Sequence, residues 1–295
     1  MEGSLRTQGF AIGRTTPRPR QRPRATQALV TAARRGGMAL LVCVVLIGAA
    51  ACSPQTPSGN SSSHPKSIVV SAAVSLENAF GEIAQLYTSR TGAKVDFSFG
   101  GSGELERQIE GGAPVDVFAS AGAKEMDALQ AQGLIVATSR ADFAGNSLVL
   151  IVPADSKLRL GSFAELAEPK VKRIAIGNPK TVPAGLYAQQ SLRNLHLWSR
   201  LQPRLIFAED VRQVLDYAMR DEVDAGIVYS TDVPIAHGKV KIAAQAPAGS
   251  YGPVLYPIAI VKGCSHPEAA RRFVSLVRSQ EGASIIEKYG FRSVK

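Results

Sequence analysis

Cysteine is scarce, with three among 295 residues, at positions 43, 52 and 264. The first two lie in or directly after the one sustained apolar run, so a folded body keeps Cys264 alone. An internal disulfide is therefore excluded, and the core must hold by packing. Histidine is scarce as well. His64, His196, His237 and His266 are scattered, with no metal-ligand spacing among themselves or with Cys264. Basic charge is missing where a nucleic-acid surface would need it. Eight arginines against one glutamate give residues 1–37 a charge of +7, which leaves only +3 of the chain's +10 for everything after. No basic stripe interleaved with aromatics remains, and a nucleic-acid partner is excluded on that ground. Nor does any apolar run reach the roughly 18–20 residues of a membrane span.

The longest such run, Met38 to Ala51, is fourteen residues long and follows Arg34-Arg35. That length and those flanks fit the apolar core of an export signal. The run closes on small residues followed by Cys52, the pattern of a bacterial lipoprotein in which Cys52 is lipidated and becomes the new N-terminus. Residues 1–52 are thus expected to be a signal with its lipidation site. Residues 53–66, rich in Ser and Pro, are expected to form a flexible tether from the lipid to the domain.

From Ser67 onward, strands and helices alternate. Ser67–Ala73 reads as a buried strand, and a helix begins at Ser75 with Leu76, Phe80, Ile83 and Tyr87 on one face, ending at Gly92. Val95, Phe97 and Phe99 alternate with polar residues in a second strand. Gly100-Gly101 breaks it, and Ser102 is expected as the N-cap of the helix carrying Leu105 and Ile109. A helix start with free N–H groups, a glycine-rich approach and a serine hydroxyl suits a small anion. The same construction recurs. Pro183 opens a helix carrying Ala184, Asp210 caps one beginning at Val211, and the strand Ala225–Tyr229 ends on a tyrosine. Further strands are expected at 115–120, 147–153, 173–177, 205–207 and 256–261, and helices at 123–132, 266–279 and 280–289. The alternation predicts an α/β fold with mainly parallel sheets, in which ligands sit beyond the carboxyl ends of the strands. Ser75, Ser102, Ala184, Val211 and Tyr229 all lie at such ends.

Nine short motifs occur in order: Ala72-Ala73-Val74-Ser75-Leu76, Ser98-Phe99 through Ser102, Arg107-Gln108-Ile109-Glu110, Gly112-Ala113-Pro114, Gly145-Asn146-Ser147-Leu148, Val182-Pro183-Ala184-Gly185, Ala208-Glu209-Asp210-Val211-Arg212, Gly226-Ile227-Val228-Tyr229 and Lys288-Tyr289-Gly290-Phe291. Each is weak alone. Together, from about Ser67 to Phe291, they resemble the periplasmic molybdate-binding proteins of ABC transporters. The resemblance implies a two-lobed periplasmic-binding-protein fold of type II, with two crossing hinge strands and a ligand cleft between the lobes. One lobe would be 67–146 plus 256–295 and the other 147–255, the crossings falling near Gly145-Asn146 and Tyr256. It further implies that Ser75, Ser102, Ala184, Val211 and Tyr229 hold molybdate or tungstate. The protein would need no cofactor, have no catalytic activity and act as a monomer. Its partners would be an ABC permease and its ATPase, on the extracytoplasmic side of a membrane reached through the lipid on Cys52. Two departures stand out: Ser102 is flanked by Gly101 and Gly103 where many relatives carry more serines, and Val74 precedes Ser75 where alanine is common.

The five positions suit a tetrahedral dianion. Two serines each offer a hydroxyl and a backbone N–H, Ala184 and Val211 each offer an N–H, and Tyr229 offers a hydroxyl, which makes seven donors with no cationic side chain. Sulfate or another small oxyanion is the alternative within this class. A secreted serine hydrolase is a more distant one. Gly100-Gly101-Ser102-Gly103-Glu104 nearly matches a nucleophile elbow, but Glu104 replaces its last glycine, and Asp224 and His237 would have to complete a triad.

Overall fold

A computed structural model describes residues 67–294. The expected export signal, Cys52 and the tether lie outside the described residues. The first half of the described chain runs β1 (Ser67–Ala73), α1 (Glu77–Thr91), β2 (Lys94–Gly100), α2 (Ser102–Glu110), β3 (Val117–Ala119), α3 (Ala123–Ala131), β4 (Ala141–Asn146) and β5 (Leu148–Pro153). It continues with β6 (Ile174–Gly177), α4 (Pro183–Asn194), α5 (Trp198–Leu201), β7 (Leu205–Ala208), α6 (Val211–Met219), β8 (Ala225–Tyr229), β9 (Val240–Gln245), β10 (Val254–Ile260), α7 (Pro267–Val277) and α8 (Gln280–Lys288). Among the described residues no helix is long and apolar enough to cross a membrane.

The strands divide between two five-stranded sheets, in the orders β2-β1-β3-β10-β4 and β7-β6-β8-β5-β9. Each sheet carries its own helices, which makes the molecule two-lobed. The chain passes from the first sheet to the second at Ser147, the single residue between β4 and β5, and returns between β9 and β10. Strand β10 begins at Val254, slightly ahead of the expected crossing at Tyr256.

The expectation of mainly parallel sheets needs correction. Pairs β1–β2, β1–β3, β6–β7 and β6–β8 are parallel, but β10–β3, β10–β4, β5–β8 and β5–β9 are antiparallel. The reason lies in the crossings. Strands that leave one sheet and enter the other have no βαβ connection to force parallel entry, so each sheet is parallel on one side and antiparallel on the other.

The elements form where the side chains dictate. Strand β5, Leu-Val-Leu-Ile-Val-Pro, is buried throughout, as an interior strand with both faces covered must be. Phe80, Ile83 and Tyr87 point into the core from α1, as does Leu76 just before it, and α1 stops at Gly92 in the left-handed conformation, φ 73°. Phe80 packs edge-on against Phe273 of α7 at 5.9 Å between ring centroids, tying the C-terminal helices to the first lobe. Strands β4 and β9 have no counterpart among the strands expected from the sequence. Ala-Asp-Phe-Ala-Gly-Asn has little strand propensity of its own, and β4 exists because β10 offers it a hydrogen-bonding partner.

Candidate functional site

The construction strand–turn–helix N-terminus places four of the five predicted residues at helix starts. Ser75 sits in a 3₁₀ turn, Val74–Leu76, that leads straight into α1. Ser102 is the first residue of α2, Ala184 the second of α4 and Val211 the first of α6. First-turn N–H groups have no acceptor within their own helix, so each start presents free donors and the positive end of its dipole. Tyr229 closes β8.

All five residues line a single small cavity of about 10 Å³ between the lobes, together with Gly101, Ala121, Pro183 and Asp210 among others. Each is at most 5% exposed. No lysine or arginine lines the cavity among the described residues. Ser75 and Ser102 come from the first lobe, and Ala184, Val211 and Tyr229 from the second. A larger groove, about 710 Å³, opens on the surface between Arg107, Thr181 and Phe207. It holds none of the five residues.

The hydroxyls are differently occupied than the sequence reading expects. Ser102 is not the N-cap of α2. Gly101 takes that place with no side-chain cap, and the Ser102 Oγ instead accepts the Ala121 N–H at 3.1 Å. That N–H is the reason for the correction, since a buried amide donor must find an acceptor. It also leaves the Ser102 proton free to point into the cavity. Tyr229 behaves the other way: its hydroxyl donates to the Ala121 carbonyl at 3.0 Å, which removes one donor from the expected seven unless the hydroxyl turns. Burial holds Tyr229 well above the usual phenol range, so it stays protonated. Asp210 caps α6 as expected, its Oδ1 accepting the Gln213 N–H at 2.9 Å.

The lobes meet across this cavity. The Gly103 N–H donates to the Thr181 carbonyl at 2.8 Å, and Arg212 Nη2 reaches Asn78 Oδ1 at 3.0 Å. Lys124 Nζ reaches the Lys180 carbonyl at 3.3 Å. A Cβ on Gly101 would stand 2.7 Å from the Glu209 carbonyl, and one on Gly103 would stand 2.9 Å from Thr181 Cα and O. Only glycine admits this approach of two backbones. The arrangement is therefore a closed one.

A buried carboxylate holds the backbone of Tyr229. Asp232 is fully buried, accepts the Tyr229 N–H at 3.1 Å through Oδ2, and lies 3.3 Å from Arg212 Nε through Oδ1. Burial pushes its pKa up to about 6 against the opposing pull of Arg212. Sequence reasoning missed Asp232, and missed Ala121, whose N–H and carbonyl serve Ser102 and Tyr229 from opposite lobes. The triad imagined for a hydrolase does not assemble. Asp224 accepts the Lys172 and Arg173 N–H groups at 2.7 and 2.8 Å just before β8 begins, at the end away from Tyr229. Neither Asp224 nor His237 lines the cavity.

Known proteins resemble this chain in sequence and in fold. The molybdate-binding protein ModA of Escherichia coli is 38% identical over 242 residues, covering 79% of this chain and 91% of that protein. The solved periplasmic molybdate-binding protein of Azotobacter vinelandii superposes with a TM-score of 0.71 at 29% identity, over 77% of this chain and all of that one. The sulfate-binding protein SubI of Mycobacterium tuberculosis, 16% identical with a TM-score of 0.67 over 78% of this chain and 88% of that one, shares the fold alone. The bacterial extracellular solute-binding protein family matches residues 68–292, and the chain belongs to that family.

Proposed function

We propose that this protein captures molybdate, and tungstate by the same chemistry, outside the cytoplasm and delivers it to the permease and ATPase of an ABC importer, held to the membrane by a lipid on Cys52. One observation carries the reading. Four helix N-termini and two serine hydroxyls from two lobes converge on one cavity with no cationic side chain. Such a shell meets a tetrahedral dianion with oriented dipoles rather than with counter-charge. The similarity to ModA of Escherichia coli supports the choice of molybdate among such dianions. The shell contains no nucleophile–base pair, which supports a carrier rather than an enzyme.

Equilibrium dialysis of the purified protein against molybdate, tungstate and sulfate, followed by elemental analysis, tests the reading. The expected result is one molybdenum or tungsten per chain at micromolar anion. Retention of sulfate alone would make the protein a sulfate carrier, and retention of none would end the oxyanion reading.

A further inference from the structure

Below the cavity, where the chain crosses between the sheets, a buried hydrogen-bond chain has only one possible direction. It starts at Asn146, the last residue of β4, which is 1% exposed. Its Oδ1 receives the Ser147 N–H at 2.8 Å and the Ser230 hydroxyl at 3.1 Å. A backbone N–H can only donate, so this oxygen must be the acceptor, and the side-chain NH₂ must face the other way. The NH₂ has two protons and two partners there, Thr231 Oγ1 at 2.9 Å and the Tyr256 hydroxyl at 3.1 Å. Tyr256 therefore accepts from Asn146. Its single proton is left for its remaining neighbour, Ser75 Oγ, at 3.1 Å.

We propose that Tyr256, oriented by Asn146, is a positioning residue that makes the Ser75 hydroxyl accept from below and so compels it to donate into the cavity, toward the bound oxyanion. The inference rests on the oxyanion reading above. It gives Ser75 the polarity that Ser102 receives from the Ala121 N–H. Both serines then present protons to the ligand, and one lone pair of each is already taken by a buried donor. Tyr256 keeps its own proton at any ordinary pH, because it is fully buried and its pKa is raised far above the usual phenol range. Its ring is also locked, edge-on against Phe291 with centroids 5.2 Å apart and tilted against Tyr229 at 5.8 Å, so the hydroxyl cannot swing to another partner.

A double-mutant cycle separates positioning from packing. Tyr256→Phe keeps the ring and removes only the hydroxyl. Calorimetric titration with molybdate should show affinity weakened about three- to tenfold by Tyr256→Phe, the size of one misdirected hydrogen bond. In the Ser75→Ala background the same change should alter affinity less than twofold, because Tyr256 acts through the Ser75 hydroxyl. Equal losses in both backgrounds, or none in either, would overturn the inference. Thermal melting of all four proteins without ligand confirms that each folds. If the wild type binds no molybdate, the proposed function fails on its own, and the same cycle run with sulfate, the alternative dianion, still decides whether Tyr256 and Ser75 are coupled.

Discussion

Replacing Gly103 with alanine should weaken ligand binding without weakening the fold. The added methyl would stand 2.9 Å from Thr181 Cα and O and 3.2 Å from Thr181 C, and all three atoms are backbone of the opposite lobe. No side chain can rotate away, so the lobes must separate by several tenths of an ångström. The Gly103 N–H···O=C Thr181 bond, 2.8 Å long, stretches with them. Overpacking of this kind costs about 1–3 kcal/mol, which translates to roughly five- to 150-fold in Kd. The open protein does not meet the clash. There alanine in α2 is expected to add a few tenths of a kcal/mol, up to about 1, through helix propensity. Calorimetry and thermal melting together read both effects. Molybdate affinity should fall by at least fivefold, the ligand-free Tm should stay level or rise slightly, and the Tm gain at saturating molybdate should shrink. A Kd within twofold of the wild type would mean that closure at Gly103 is not part of binding.

Four further outcomes follow from the same geometry. Glu125 is 2% exposed, its Oε2 has no hydrogen-bond partner, and burial pushes its pKa from an ordinary 4.5 up to about 7, against a weaker pull from Lys124. The folded state then binds more protons than the unfolded one between those values, so stability falls as pH rises from about 4.5 to about 7; Glu125→Gln should abolish that fall and stabilise the protein at pH 8 by about 2–3 kcal/mol, and parallel pH profiles of Tm would refute the assignment. Asp210→Ala removes the Gln213 cap and should lower stability by about 1 kcal/mol in urea denaturation, with an unchanged midpoint counting against the cap. Small-angle scattering should give a smaller radius of gyration with molybdate than without, and an identical radius would argue against lobe closure. Cys52→Ala should move the protein from the membrane fraction to the soluble one on fractionation, and retention in membranes would exclude the lipid anchor.

The readable parts of the fold were those in which local chemistry and final structure agree. Strand β1, strand β8 and the ends of α1 and α6 announce themselves through apolar runs, a left-handed glycine and an aspartate cap. Ser75, Ser102, Ala184 and Val211 stand out because serine, proline and aspartate mark helix starts within a few residues of them. What stayed hidden depends on distant partners. The Ser75–Tyr256 contact joins residues 181 apart, and Tyr256 looks like an ordinary aromatic in an apolar strand. Ser102 reads as a cap because serine before a helix usually is one. Only the fold brings the Ala121 amide within reach of its hydroxyl, and local preference then gives way to the need to satisfy a buried donor. Glu125 reads as one more solvated side chain between Lys124 and Asp127, and nothing nearby shows that it lies buried beside Pro183 of the other lobe, both of them within 3.3 Å of where a Gly122 Cβ would stand. Strand β4 is invisible for a related reason, since its pairing belongs to β10 and not to its own residues.

The central claim is that the cavity offers hydrogen-bond donors to a fully deprotonated dianion. Phosphate near neutral pH still carries a proton, which needs an acceptor. In the proposed orientation the Ser75 and Ser102 oxygens accept from Tyr256 and Ala121 and turn their protons to the ligand, while Asp210 holds the Gln213 N–H through Oδ1, so that its second oxygen is the one carboxylate acceptor left beside the cavity among the described residues. An unmet buried polar group costs about 1–3 kcal/mol, or roughly five- to 150-fold in affinity. Competition calorimetry at pH 7 measures this directly, with phosphate titrated against the molybdate-loaded protein. The account predicts that phosphate fails to displace molybdate at comparable concentration and needs at least a fivefold excess. Displacement at equal concentrations would show that an acceptor faces the ligand and would contradict the donor-only shell.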